Sequence, residues 1–372
     1  MIARAKDIMT LMEEEFPLHL AESWDNSGLQ IGSSDKKVGR MLIALDLDFF
    51  VLKQAVKQQV DMIITHHPLF FKPVKNINYA SPLGKMIKTL ISADITVYAA
   101  HTNLDAAQRG LNQALAEKLG LVNIEPLYPA SREALFKLVV YVPATHLEEV
   151  RAAICIAGAG NIGKYADCTF RARGTGTFRP GQDTNPFIGK TGILEEVDEF
   201  RLETIIYEQD LKQVLSSMHQ AHPYEEVAYD LYRLENEGRM FSPGRKGCLI
   251  EKTRLQDYAV RIKELLGVKS LRVVGDLDSI ANNVAVISGS GASLMNRVIG
   301  QNIDLLVTGD LKYHEAKDAE AAGLKVIDAG HQGTEAMVVP LLIDYLNPKL
   351  ANRDLQVELI PCFSPDCIKD IF

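Results

Sequence analysis

An apolar strand that ends in two adjacent histidines constrains the fold of this chain more than any other feature of its sequence. Residues 62–65 form an apolar, largely β-branched run, and His66 and His67 follow it directly within the segment DMIITHHPLFF. Pro68 cannot extend a ladder of backbone hydrogen bonds, so both imidazoles are expected where a buried strand opens into a loop. Neutral imidazole is a common metal ligand, and two adjacent rings are costly to bury unless a partner accepts their lone pairs. Taken alone, the pair also fits a strand end with one packed and one solvated histidine.

Strands and helices alternate around this segment and again near the end of the chain. We predict strands at 41–48, 62–65, 95–100 and 325–328, and helices at 49–59, 82–93, 111–119 and 254–266. Such alternation indicates an α/β fold with a mostly parallel sheet, in which ligands bind at the carboxyl ends of the strands. The last helix is expected to run from a Thr334 cap to Leu346, with Glu335 in its first turn.

The pattern changes in the middle of the chain. Residues 137–143 predict a strand, 146–157 a helix, and 168–180 an exposed antiparallel strand, and the whole segment follows the order β-α-β-β-α-β of a ferredoxin-like unit. The polar stretch 235–247, with its glycines and proline, predicts a boundary. A chain of 372 residues is also long enough for two domains. We therefore predict a discontinuous metal-binding α/β domain of residues 1–126 and 250–372, which flank and form one sheet around an inserted ferredoxin-like α+β domain of residues 130–247.

Five candidate metal ligands follow predicted strands in the two outer segments. They are His66, His67 and Asp105 in the first and His331 and Glu335 in the second. Three imidazoles and two carboxylates exceed the three protein ligands of a usual mononuclear catalytic zinc site. We therefore expect two divalent metal ions about 3.5–4 Å apart, as in two-metal hydrolases. Zn, Fe, Mn and Co all suit nitrogen and oxygen ligands.

Other polar residues are expected at the same edge of the sheet. His101, Asp310 and His314 could move protons or orient ligands, and Asp25 and Asp46 could accept a hydrogen bond from a metal-bound imidazole. For each of them alone, a structural hydrogen bond or a helix cap is an equally good explanation.

Charge and composition exclude several classes of protein. A formal net charge of −8 argues against a chain built to neutralise nucleic-acid phosphates or anionic lipid. The first residues lack the continuous apolar region of a signal peptide, and no apolar run reaches the ~18 residues of a membrane span. Five cysteines without a C-x-x-C pair fit a reducing cytoplasm. We expect a cytoplasmic protein that binds neither membrane nor nucleic acid.

Five motifs in one order, SWDNSGLQIG, THHPLFF, HTNLD, TGDLKYHEA and AGHQGTE, resemble the signatures of the Nif-three-like dinuclear metal centre proteins, whose bacterial members are called GTP cyclohydrolase 1 type 2 homologues. The resemblance covers about 1–126 and 250–372, and it implies the same five metal ligands. It also implies a homo-hexameric toroid, and an insert similar to the trimeric CutA and PII proteins at 137–234. One departure is Ser27, which stands where valine is expected. It bears on packing near Trp24 and leaves the predicted metal ligands unchanged.

The leading hypothesis is a metal-dependent hydrolase that acts on GTP. In the activity that the resemblance implies, a metal-bound hydroxide attacks C8 of guanine, formate leaves and dihydroneopterin triphosphate forms. His101 or His314 would move protons, and the Gly289–Gly291 turn and Lys312 are candidates for the triphosphate. Two alternatives remain, namely a two-metal hydrolase of another nucleotide or phosphoester, and a metal-binding regulatory or interaction protein. In the second alternative the insert carries a ligand signal or plugs the toroid. A third view is an oligomeric scaffold with vestigial metals.

Overall fold

Residues 2–367 are described by a computed structural model, in which the backbone divides into two units. The first unit runs to Ala130 and resumes at Phe241, and the second is Ser131–Met240. The chain therefore returns from the second unit to the first before the predicted boundary at residue 247. Residues from Arg245 onward already belong to a strand of the first unit.

The helices and the longer strands account for most of the described chain. The strands are β1 (Gly28–Ile31), β2 (Arg40–Ala44), β3 (Met62–Thr65), β4 (Thr96–Ala99), β5 (Leu121–Pro126), β6 (Leu135–Pro143), β7 (Thr169–Phe178), β8 (Glu195–Tyr207), β9 (Tyr229–Leu234), β10 (Arg245–Arg254), β11 (Arg272–Val274), β12 (Ile280–Val286), β13 (Leu305–Thr308), β14 (Lys325–Asp328) and β15 (Glu358–Pro361). The helices are α1 (Ala5–Glu15), α2 (Phe49–Lys57), α3 (Pro82–Ser92), α4 (Thr102–Ala106), α5 (Leu111–Lys118), α6 (Leu147–Ile156), α7 (Leu211–Ala221), α8 (Leu255–Leu266), α9 (Tyr313–Ala321), α10 (His331–Glu335) and α11 (Val338–Asn352). Within residues 2–367, none of these helices has both the length and the apolar character that crossing a membrane requires.

A five-stranded sheet in the first unit has the order β15-β2-β3-β4-β1. Its strands are parallel except β1, which runs antiparallel to β4. Successive residues of β2 enter two different cores: Met41 and Ile43 pack in one cluster, whereas Leu42 packs in another with Ile63 of β3. Both faces of this sheet are therefore buried, as a parallel sheet requires.

A second sheet in the same unit has six strands in the order β11-β14-β13-β12-β10-β5. Only the β14-β13 and β13-β12 pairs are parallel, while the other three pairs are antiparallel. The prediction of one mostly parallel sheet across both outer segments is therefore wrong. Strand β10 pairs antiparallel with both β5 and β12. Strand β5 therefore belongs to the six-stranded sheet and not to the sheet of the strands that precede it in the sequence. Hydrophobic periodicity identifies strands, but it does not say which strands pair.

The second unit has the element order β6-α6-β7-β8-α7-β9, with all pairs antiparallel in the sheet order β7-β8-β6-β9. Alternate residues of β6, namely Leu138, Val140 and Val142, share one core with Val150 of α6 and Val214 of α7. The two helices thus cover one face of this sheet, as the period of two in the strand predicts.

Candidate metal centre

Strands from both sheets of the first unit end at the same place. His66 and His67 follow β3, and His101 follows β4. From the six-stranded sheet, β14 leads to His331, the first residue of α10, and Glu335 is the last residue of that helix. Buried β-branched and apolar residues form each of these strands. The candidate ligands follow where the backbone pairing of the strand ends.

The five predicted ligands lie together. Glu335 Oε2 is 3.1 Å from His67 Nε2 and 3.0 Å from His331 Nε2. Glu335 Oε1 is 3.8 Å from His66 Nε2, and Asp105 Oδ1 is 3.7 Å from the same nitrogen. Glu335 therefore presents one oxygen to each of two sets of ligand atoms.

The tautomer of His66 is set by the backbone. Its Nδ1 lies 2.8 Å from the carbonyl oxygen of Ala100, which can only accept a hydrogen bond. The proton is therefore on Nδ1, and Nε2 carries a lone pair. The His66 side chain is fully buried, and its Nε2 has no hydrogen-bond partner. A buried acceptor without a donor is costly, and a bound cation would satisfy it.

Carboxylates orient the other two histidines in the same way. His67 Nδ1 lies 2.7 Å from Asp46 Oδ1, and His331 Nδ1 lies 2.7 Å from Asp310 Oδ2. Both Nε2 atoms then point lone pairs at each other across 3.3 Å. Two lone pairs at that distance repel unless a proton or a metal ion lies between them. The residues therefore fit a divalent metal centre.

Electrostatics also favour positive charge here. Burial lowers the pKa of His67, but hydrogen bonds to Asp46 and Glu335 outweigh it and raise that pKa to about 10. The hydrogen bond to Glu335 raises the pKa of His331 to about 9. Burial opposes ionisation of Glu335, yet the three neighbouring histidines hold its pKa well below the ordinary value. Without a metal ion the cluster takes up protons, and a metal ion would displace them.

His101 reaches the same centre. One ligand nitrogen from each of His66, His67 and His101 lies within 4.8 Å of the other two. His101 Nδ1 is 2.7 Å from Asp25 Oδ1, so its Nε2 is also left with a lone pair. Burial opposes ionisation of Asp25, but hydrogen bonds from His101 and Thr102 keep its pKa well below the ordinary value.

Ser27, the departure from the family pattern, contacts this pair directly. Its hydroxyl lies 2.8 Å from Asp25 Oδ2 and 2.9 Å from Asn103 Oδ1. A valine could make neither contact. Ser27 therefore bears on the hydrogen bonding of Asp25 as well as on packing near Trp24, and it contacts none of the five predicted ligands in these hydrogen bonds.

The loop after β12 supports the carboxylates. Ser288 Oγ donates to Asp105 Oδ1 at 3.2 Å, and burial raises the pKa of Asp105. A Cβ atom on Gly289 would lie 2.0 Å from Glu335 Oε1, so only glycine lets the backbone approach this closely. The Gly289 N–H donates to Thr334 Oγ1 at 2.9 Å, so it is not free for the phosphate proposed for this turn. Sequence reasoning did not find Ser288, which has no motif of its own.

The last predicted helix is two helices, and Thr334 does not cap it. Helix α10 begins at His331, after Gly330 with φ 77°. Thr334 lies inside α10, where its hydroxyl donates to the His331 carbonyl oxygen at 2.9 Å. One turn of helix then places His331 and Glu335 on the same face, at the i, i+4 spacing.

Two predicted residues lie elsewhere in the structure. His314 is exposed on α9, with its ring 5.4 Å from that of Tyr313, and it belongs to neither potential metal-binding cluster of residues 2–367. Lys312 is exposed and pairs with Glu315 at 3.8 Å. Of the three proposed catalytic residues, the structure brings His101 and Asp310 to the centre.

Two exposed aromatic rings flank His101. The Trp24 ring lies 5.9 Å from the His101 ring, and the Phe71 ring lies 5.7 Å from it. Trp24 is 62% exposed and Phe71 54% exposed, although large aromatic side chains usually bury most of their surface. Both belong to motifs that sequence analysis singled out, but neither was assigned a role there.

Comparison with known proteins gives a consistent result. A family model described as Duf34/NIF3 (NGG1p interacting factor 3) matches residues 3–365. A protein of Halalkalibacterium halodurans named GTP cyclohydrolase 1 type 2 homolog is 43% identical over 336 residues, which cover 90% of each chain. The Bacillus subtilis protein of the same name is 42% identical over 332 residues, or 89% of each chain. The crystal structure of a Bacillus cereus protein related to NIF3 matches over 100% of both chains with a TM-score of 0.92 at 42% identity.

Proposed function

Since this chain belongs to the Duf34/NIF3 family, we propose that it is a two-metal hydrolase that converts GTP and water into formate and dihydroneopterin triphosphate. The observation that carries the metal part of the proposal is the convergence of His67 Nε2, His331 Nε2 and Glu335 Oε2 within 3.3 Å of one another, with both Nδ1 atoms held by carboxylates. The substrate part is supported by the name that the similar proteins carry.

The residues that would hold the metals fall into two sets. His66 and Asp105 face Glu335 Oε1, and His67 and His331 face Glu335 Oε2. A carboxylate shared in this way supports two ions rather than one. When bound, such ions would polarise the substrate and lower the pKa of water, which supplies a nucleophile at neutral pH.

The chain's own residues have separate roles in this proposal. His101 is the residue that moves a proton, because Asp25 holds its Nδ1 and leaves Nε2 free to accept one. Asp46 and Asp310 are positioning residues, since each acts through the histidine that it orients. The exposed position of His314 favours His101 for the proton transfer.

Trp24 and Phe71 support a planar substrate. Their exposed rings lie beside His101, where a purine base could stack, and stacking of a base on an aromatic side chain contributes about 1–3 kcal/mol. A simple phosphoester would gain nothing from these two rings. They therefore favour a nucleotide over the other phosphoesters considered above.

The assembly and the insert complete the proposal. We place the protein in the cytoplasm, because its five cysteines are free. The resemblance of its motifs supports a homo-hexameric toroid. The β-α-β-β-α-β order and antiparallel pairing of the second unit support a ferredoxin-like insert of the CutA and PII kind.

The test is to load the protein separately with Zn, Mn, Fe and Co, add GTP, and measure formate and pterin fluorescence. We expect product with at least one metal and none with Glu335→Gln. Trp24→Ala should raise KM for GTP, whereas Trp24→Phe should restore it. No product with any of the four metals rejects the cyclohydrolase, and turnover of another nucleotide or phosphoester would support the alternative hydrolase. A metal-dependent change in partner binding without turnover on a broad panel would support the regulatory protein.

A further inference from the structure

A cavity of about 370 Å³ is lined only by residues of the second unit, and none of them is assigned to the metal centre. Its walls come from β6, the ends of β7 and β8, the connection between those two strands, and the loop before β9. Its volume falls within the range of small-molecule sites. Nothing in the proposed GTP reaction uses this space.

Aromatic rings form one side of the cavity. The Phe178 and Tyr224 rings lie 5.8 Å apart, and the Phe187 and Tyr224 rings lie 6.4 Å apart. Phe187 is 53% exposed, so part of its side chain is accessible to a ligand. The His222 ring packs edge-to-face against the Tyr224 ring, with the ring centroids 5.0 Å apart.

Carboxylates also line the cavity. Glu199 is only 8% exposed, and its Oε1 accepts a hydrogen bond from the Tyr224 hydroxyl at 3.0 Å. Its Oε2 receives no hydrogen bond from the described residues, and it lies so close to Gly176 that a Cβ there would be 2.0 Å away. Burial and Glu199 raise the pKa of Tyr224, so its hydroxyl stays protonated and keeps donating.

The charged side chains that line the cavity are all acidic. Glu225 and Glu226 add two more carboxylates, and no lysine or arginine is among the lining residues. Glu225 also accepts from the backbone N–H of Asn185 at 3.0 Å, which ties the connecting loop to the cavity. A buried carboxylate without a cationic partner is costly unless a cation reaches it.

We propose that this cavity binds a small organic ammonium cation, with its alkyl groups against the rings of Phe178, Phe187 and Tyr224 and its charge facing Glu199. Aromatic rings together with a carboxylate in one cavity are a combination that recognises alkylated ammonium groups. A hydrated metal ion would gain nothing from the three rings, and an anion would be repelled by the three glutamates. The site is separate from the proposed hydrolase centre, so neither proposal depends on the other.

The experiment compares choline with its uncharged isostere 3,3-dimethylbutan-1-ol, by calorimetry on the full-length protein. We expect choline to bind at least about tenfold more tightly than the isostere, which corresponds to about 1.4 kcal/mol, because only choline carries the charge that a cation–π contact needs. Glu199→Gln, which keeps the shape and removes the charge, should weaken choline binding by a similar factor. Glu196→Gln removes the same charge from an exposed position of the same strand and should leave binding unchanged.

Spermidine and arginine serve as further cations, because the length of the natural ligand is not fixed by the cavity. Equal binding of choline and the isostere would overturn the charge-based assignment and make this an apolar pocket. Failure of all three cations to bind at millimolar concentration would overturn the proposal altogether. Gly176→Ala provides a second variant: it should displace Glu199 and weaken binding while Glu199 itself is retained.

Discussion

The Nε2 atoms of His67 and His331 lie 3.3 Å apart, although 264 positions separate the two residues in the sequence. Each ring is held at Nδ1 by its own carboxylate, Asp46 or Asp310. The arrangement leaves two lone pairs facing each other beside Glu335. Imidazole nitrogen and carboxylate oxygen together suit several divalent transition metals, so the contact is best understood as part of a metal site.

Asp46 should control metal affinity without controlling stability. Asp46→Ala removes the acceptor that fixes the His67 tautomer, and loss of such a partner typically weakens metal binding by about 10–100-fold. Asp48→Ala is the control, because Asp48 accepts from the Val51 N–H at the start of α2. That variant should lose about 1 kcal/mol of stability and keep its metal affinity. Competition with a metal-sensitive dye gives the affinities, and equal affinities in all three proteins would contradict the role of Asp46.

Gly289 should be required for metal binding because a side chain at this position would collide with Glu335, and not because of its backbone conformation. Gly289→Ala would place a Cβ 2.0 Å from Glu335 Oε1 and also strain a backbone with φ 58°. Gly267→Ala is matched, since Gly267 has φ 67° but nothing within 4 Å of a Cβ. Both variants should lose about 1–2 kcal/mol of stability, and only Gly289→Ala should lose metal. Normal metal content in Gly289→Ala would show that Glu335 is not needed where the structure places it.

The second unit should lose stability in mild acid through His222. Its Nε2 donates to the Tyr141 carbonyl oxygen at 3.0 Å, and its Nδ1 accepts from the Tyr224 N–H at 3.1 Å, so a proton on Nδ1 would break a bond. Burial, with His146 and His219 nearby, lowers the pKa of His222 below its ordinary value of 6.5.

The unfolded chain therefore takes up the proton first, so this stability is present above pH 6.5 and is lost as the pH falls below it. The slope can reach about 1.4 kcal/mol per pH unit. Hydrogen exchange of second-unit amides between pH 7 and pH 5 measures it. His222→Gln should flatten the dependence, while His219→Gln should not. An unchanged slope in His222→Gln would assign the effect to another group.

The second unit should be removable. The Ala130 N–H donates to the Phe241 carbonyl oxygen at 3.1 Å, so the two ends of the first unit already meet. Replacing residues 131–240 with two glycines should leave a folded protein that binds the same metals as the full chain. Circular dichroism and metal content report the outcome. An unfolded product at all protein concentrations would contradict the proposed domain boundaries.

Much of the proposed metal centre follows from sequence because its ligands lie at the end of a strand or in the short helix that follows it. His66 and His67 are adjacent, and His331 and Glu335 share one helical turn, so local patterns reveal them. The division into two sheets was not found, because β5 is joined to β10 by pairing across the whole insert. Ser288 and Ser27 were missed or underestimated because an isolated serine has no pattern, and its role depends on the distant carboxylate it contacts.

Metal content is the most direct test of the central claim that residues from the two outer segments hold a pair of metal ions. Protein purified without chelator should contain about two divalent ions per chain by elemental analysis. His67→Ala and His331→Ala should each lose metal while remaining folded, although one residue lies before the insert and the other after it. If wild-type protein stays metal-free after incubation with Zn, Mn, Fe and Co, or if both variants retain full metal content, the account is contradicted.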